Sequence, residues 1–508
     1  MKKLTAFLLG IAFCFGGTAV CSGADPVTTQ DTLTFAIDRE PVSLDPIDVT
    51  VNVKGMIQSC IFDKLLAFDD KLNIVPGLAE SWKKLDDQTW QFNLRKGAKF
   101  HDGTEVKSSD VLFSFRRLVG KGSTVTKYYN MFDMENSSCP DDYTFILKMK
   151  RPFAFVEARL ATSSACILPE KAVTEKGADF ARHPVGSGPY KFVSWSAGDR
   201  IALERNDDYW GHKSILKNIV IRVITESSSR TIDLESGGLD MTLSLSNNDV
   251  NRVSENPDLV VDVRPSHSLR YIGFNCDKKA LKDLRVRQAL NYATDVHTLR
   301  TILYGEKTSG EALSVVPSTL KGFNPNVRQY PYDVEKAKQL LKEAGYEKGL
   351  EVEFMYLASS TNNMLAELLQ QMWGEIGVTL KLKPTESGAL STALNKGEQE
   401  ICCAGTTYGL AEAGDGLNNM FNSASKGTSA DRTNLSDPEV DKLLNEIVVT
   451  TDSDKRASLV MEAQAKIAEL APTINLSNQY ALIGSKKKLK GLKLAAPGEY
   501  DFTHCYFE

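Results

Sequence analysis

The chain has 508 residues, 42% of them hydrophobic and 25% charged, with a net charge of −5 and nine cysteines. Those proportions exclude a disordered, collagen-like or coiled-coil chain, and a pI of about 5.9 argues against a nucleic-acid footprint. At this length two or three structural domains are expected.

The first distinct element is the leader. Lys2 and Lys3 precede an apolar run from Leu4 to Phe15. That run is too short to span a bilayer, which takes about 20 residues, and it suits the hydrophobic core of a secretory signal. Ser22-Gly23-Ala24 supplies the small residues of a cleavage site, so residues 1–24 are expected to leave as a signal peptide. Lipidation at Cys21 is the competing fate, although Val20 and Thr18 depart from the lipobox pattern. Cleavage removes two lysines and no acids, taking the charge from −5 to −7. Seven cysteines remain: Cys60, Cys139, Cys166, Cys276, Cys402, Cys403 and Cys505. An odd number at irregular spacing is no disulfide framework, though one or two bridges would be compatible with export.

Strand patterns come next. Trp90, Phe92 and Leu94 alternate with polar residues, as do Tyr143, Phe145, Leu147 and Met149, which predicts half-buried strands. Ile219 to Ile224 is a nearly continuous apolar run, and Gly186-Ser187-Gly188-Pro189 marks a tight turn. From about residue 280 helical periodicity takes over. Val286, Ala289, Leu290 and Ala293 share one face, and so do Val440, Leu443, Leu444 and Ile447, with Asp437 as N-cap and Pro438 in the first turn. A helix from Val334 to Ala344 is expected to stop at Gly345. Val352 to Tyr356, Leu365 to Ile376 and Val378 to Leu382 read as strand, helix, strand, a βαβ unit.

Catalytic patterns are missing. There is no GxSxG elbow, no HExxH, no phosphate loop and no GxGxxG between a strand and a helix. The histidines lack metal-ligand spacing, and His101-Asp102-Gly103 reads as a turn. Neither enzyme activity, a cofactor nor a metal is therefore expected.

Longer blocks resemble the extracellular solute-binding protein family 5, the peptide- and nickel-type binders of ABC transporters. Ser43-Leu44-Asp45-Pro46, Gly77 to Trp82, Phe100 to Gly103, Pro184 to Tyr190, Glu204 to Trp210 and Arg285 to Leu290 match its blocks in order along the mature chain. The resemblance implies an α/β, two-lobed periplasmic-binding-protein fold of type II, with the ligand cleft between the lobes. Lobe I would comprise 25–265, with an extra subdomain at about 57–185, completed by 478–508; lobe II would comprise 266–477. Hinge strands would cross near 265–270 and 475–480. The implied role is the exported, periplasmic component of an ABC importer, a monomer that captures a peptide and delivers it to the permease and ATPase subunits. An oligosaccharide, an opine-like compound or a chelated metal are alternative solutes, and an exported hydrolase or chaperone-like binder is a lesser alternative.

Peptide-binding relatives place an aspartate against the peptide ammonium in a segment resembling G-W-x-x-D-Y. The corresponding segment here is Ala404 to Leu410, where Thr406 takes the place of the tryptophan and Gly409 that of the aspartate. Either Glu412 or Asp415 then supplies the charge, or the solute lacks a free amine. Glu40, Tyr271, Asn275, Tyr408, Glu412 and Asp415 are the candidate ligand contacts.

Overall fold

Leu33, Phe35 and Ile37 are buried along the strand Thr32–Ile37, which lies parallel to Asn218–Val223, Thr32 opposite Asn218 and Ile37 opposite Val223. These strands belong to an eleven-stranded sheet in the computed structural model, which describes residues 27–48, 52–120, 122–123 and 125–508. The expected leader and Cys21 lie outside the described residues.

At one end of the sheet Thr32–Ile37 and Asn218–Val223 are followed by Arg200–Arg205 and Tyr190–Ser196. At the other end lie Ile401–Thr407, Leu350–Leu357 and Val378–Thr385. The last two are the expected βαβ unit, joined by the helix Ser360–Gly374. That helix starts five residues before the predicted Leu365, because the Ser359 hydroxyl caps it by accepting from the Asn362 N–H. Apolar spacing marks where a helix is buried; the cap marks where it begins.

Two long antiparallel strands, Leu259–Phe274 and Thr473–Lys486, lie between the ends and belong to both. Their register breaks between Pro265 and Ser268, and Ser266 and His267 are left outside the ladder. Proline donates no backbone hydrogen bond, so it sits in a strand at such a bulge. On one side of the break Met241–Thr242 pairs with the second long strand; on the other Ile401–Thr407 pairs with the first.

A separate four-stranded antiparallel sheet holds the alternating segments read from the sequence, in the order Ala79–Asp86, Thr89–Leu94, Thr144–Met149, Phe132–Asp141. Phe92, Leu94, Phe145, Leu147 and Met149 point into its core. This core continues into helices from beyond residue 400: Phe155 packs in one cluster with Leu417, Ile447 and Val460. The Ala154 N–H donates to the Val448 carbonyl at 2.7 Å, and the Arg456 guanidinium lies 5.4 Å from the Phe155 ring. The helix Pro438–Val449 begins as expected, with Asp437 accepting from the N–H groups of Glu439 and Val440. The helix Val334–Glu343 ends at Ala344, and Gly345 takes φ +87°.

Several of the sequence blocks meet in one joint. The His101 ring accepts from the Gly186 N–H at Nδ1 (3.2 Å) and lies 3.0 Å from the Gly188 carbonyl at Nε2, while the His101 N–H donates to the Gly186 carbonyl. A β-carbon on Gly186 would lie 2.0 Å from the Ile61 carbonyl oxygen, so only glycine fits. Next to it the buried Asp63 carboxylate accepts from the Tyr209 hydroxyl and the Trp210 indole N–H. Burial pushes Asp63 up to about 6 and His101 down to about 4. These blocks are architecture.

None of the seven cysteines among the described residues forms a disulfide. Cys402 and Cys403 are neighbours on one strand, so their side chains point to opposite faces and enter different cores.

Candidate ligand site between the ends of the sheet

The bulge at Ser266–Ser268 opens onto a cavity of about 550 Å³. Its walls come from both ends of the sheet: Ser244 to Asn248 after the strand Met241–Thr242 on one side, Thr361 and Thr407 on the other, with Gln479 to Leu482 along the second long strand. A bulge beside a cavity re-aims side chains that a regular ladder would alternate. Here it holds His267, whose carbonyl accepts from the Tyr408 N–H at 3.0 Å and whose ring Nδ1 lies 2.8 Å from the Thr319 hydroxyl. Burial lowers the His267 pKa, which favours the neutral ring.

Thr407 also lines a second cavity, of about 410 Å³. Its walls are Val125 with Lys127 to Tyr129, Arg159 with Thr162 to Ser164, the segment Thr406–Leu410, part of the helix Ala413–Phe421, and Pro497 with Glu499. The hairpin tip Pro497–Gly498–Glu499 thus touches both cavities, Gly498 the first and its two neighbours the second. Segment Thr406–Leu410 turns sharply: the Gly409 N–H donates to the Thr407 carbonyl and the Ala411 N–H to the Tyr408 carbonyl. Ala411 takes φ +54°, a conformation costing a residue with a β-carbon about 1–2 kcal/mol.

The family model of bacterial extracellular solute-binding proteins, family 5 Middle, matches residues 73–428. The chain belongs to that family. It is 28% identical to the glutathione-binding protein of Pectobacterium atrosepticum, over 94% of each chain. Among solved structures it is similar to a periplasmic binding protein of Helicobacter pylori in complex with the peptide STSA, at 28% identity and a TM-score of 0.84, covering 95% of this chain and 99% of that one. It is likewise similar to a binding protein of Agrobacterium tumefaciens R10 in complex with mannopinic acid, at 29% identity and a TM-score of 0.81, covering 94% and 100%. The expected fold class is therefore the observed one, and the chain is a solute-binding protein.

In this family member the six candidate contacts are dispersed. Tyr408 and Asp415 line the second cavity, as does Gly409. Tyr408 is buried, its hydroxyl donating to the Val315 carbonyl at 2.7 Å, so it braces the loop. Asp415 is paired with Arg159 at 2.7 Å and also accepts from the Asn419 amide. Glu412 lies outside the cavity lining and pairs with Arg456 at 3.2 Å; burial raises its pKa. Tyr271 is buried in the core shared with the four-stranded sheet. Asn275 is fully buried and donates to the carbonyls of Gly397 and Gln399. Glu40 accepts from the Trp195 indole and the Gly198 N–H, tying the end of the first strand to the turn after Tyr190–Ser196. None of these last four lines either cavity.

Sequence reasoning passed over the residues that do: Ser244 to Asn248, Ser266 to Ser268, Arg159 and Glu499. Only Pro265 and the Pro497-Gly498 turn signalled irregular backbone at these places. Among the described residues no group of three or more His, Cys, Asp or Glu could hold a metal ion, and no helix is long and apolar enough to cross a membrane.

Proposed function

We propose that this protein captures a short peptide in the two cavities lined by Thr407 and presents it to the permease and ATPase subunits of an ABC importer. The observation that carries the reading is that the walls come from both ends of the sheet, while among the described residues the strands continuous between those ends are Leu259–Phe274 and Thr473–Lys486. The register break between Pro265 and Ser268 supports a division into lobe I (25–265 with 478–508, including the subdomain at 57–185) and lobe II (266–477). Rotation about the break closes the walls on the solute and excludes water, an equilibrium the solute biases by binding the closed form more tightly. Family membership and the peptide complexed by the Helicobacter pylori relative support a peptide; glutathione, bound by the Pectobacterium relative, is itself a small peptide. Export through the leader at 1–24 places it in the periplasm, and binding without turnover follows from the absence of a catalytic motif in the sequence.

The mannopinic acid complex of the Agrobacterium relative favours a second reading, an opine-like solute. Thermal-shift screening separates the two. A solute at a hundred times Kd stabilises the protein by about 2.7 kcal/mol. Stabilisation by a tripeptide library supports the peptide reading; stabilisation by opines, sugars or metal chelates alone sinks it. Native mass spectrometry of protein purified from cells is expected to show a co-purified peptide.

A further inference from the structure

We propose that Glu499 is the counter-charge for a protonated amine on the captured solute, an assignment that rests on the two cavities lined by Thr407 being the solute site. Glu499 is only 6% exposed, yet it lines the second cavity. Its two oxygens accept from the Ser163 and Ser59 hydroxyls, each at 2.8 Å. Among the described residues no basic side chain lies within ion-pair distance of it. A carboxylate withdrawn from water without a cation is costly, and proteins pair such groups with a side chain, a metal or a ligand. Two hydroxyls satisfy two of its roughly four acceptor positions and leave the charge uncompensated.

The other acids near the cavity are already committed. Asp415 is held by Arg159 and Asn419, and Glu412 by Arg456. The remaining charge on the wall, Lys127, donates to the Ser429 hydroxyl at 2.9 Å and lies over the Tyr128 ring. Gly409, where a carboxylate was expected from the family pattern, carries none. Glu499 is thus the one cavity carboxylate among the described residues without a cationic partner.

Its position is built rather than incidental. Ala496 pairs with Glu499 across a two-residue turn, and Gly498 takes the φ of +78° that the third position of a type II turn requires after Pro497. Behind it, a β-carbon on Gly55 would lie 2.1 Å from the Glu499 Oε1, so the absence of a side chain at Gly55 makes the room the carboxylate occupies.

The test uses three probes in titration calorimetry: the tightest-binding member of a tripeptide library, the same tripeptide N-acetylated, and mannopinic acid. Glu499→Gln keeps the volume and both hydroxyl contacts; its unfolding midpoint without solute checks that it folds. The expected result is that acetylation of the probe and Glu499→Gln each weaken binding roughly tenfold to a hundredfold, while E499Q does not discriminate against the acetylated form. Equal affinity of wild-type protein for the free and acetylated tripeptide overturns the assignment and leaves the peptide reading standing, and needs no variant. Unchanged affinity in E499Q does the same. Binding of mannopinic acid alone, lost in E499Q, upholds the amine assignment and overturns the peptide reading. Binding of none of the three overturns both.

Discussion

At the joint between His101–Gly103 and Gly186–Pro189, side chain meets backbone and backbone meets backbone: an imidazole between two glycine peptide groups, a glycine against the Ile61 carbonyl. Around Thr407, by contrast, the loop Thr406–Leu410 is anchored through the buried Tyr408 while Gly409 faces open volume. A β-carbon on Gly409 would meet nothing within 4 Å, whereas one on Gly186 would collide with backbone. Gly186 in the joint leaves no room for a side chain; Gly409 in the cavity wall does. A fold shared by binders of different solutes divides its constraints in this way.

The largest effect expected to sharpen the contrast is Gly186→Ala. Backbone on both sides of the contact cannot yield cheaply, so the variant should lose about 3 kcal/mol or more of stability in denaturant unfolding. A loss below about 1 kcal/mol would show that the joint is as permissive as the cleft.

A smaller effect tests the joint by pH. The His101 pKa is about 4 in the folded protein against 6.5 ordinarily, so the unfolded chain binds more protons between these values. His101 therefore contributes stability that is complete above about pH 6.5 and is lost as pH falls toward 4. Asp63 runs the other way: raised from 3.8 to about 6, it contributes stability below 3.8 that is lost as pH rises through 6. The difference between wild type and His101→Gln isolates the histidine. It should shrink as pH is lowered from 6.5 to 4, and a pH-independent difference in unfolding free energy would refute the buried neutral ring.

The smallest effect on stability is expected in the cleft. Gly409→Asp enters open space and should change stability by less than about 0.5 kcal/mol. In a Glu499→Gln background it should restore affinity for a free-amine tripeptide by roughly tenfold, measured by calorimetry. A stability loss comparable to that of Gly186→Ala would break the comparison.

What could be read in advance follows the same division. The glycine-rich turn at Gly186–Pro189, the cap Asp437, and alternation around Phe92 and Phe145 are local, so they leave marks in the sequence. The acids Glu412 and Asp415 were visible as charges, but their partners Arg456 and Arg159 are set by tertiary packing. Glu499 depends on Gly55, Ser59 and Ser163, residues that come together only once the final hairpin docks on the helix Asn52–Ile61. Tyr271 and Asn275 were sited near the right strand end, yet the face of the strand decides between cavity and core.

The neighbouring Cys402 and Cys403, sealed into separate cores, bear on how the chain would respond to an oxidant. Burial pushes Cys402 up to about 12 and Cys276 up to about 11, and raises Cys60, Cys139, Cys403 and Cys505 as well. Since the thiolate is the species that attacks, thiol–disulfide exchange is slow once the cores close. Protection of these thiols is thus a property of the packed state, and it is lost wherever a core opens.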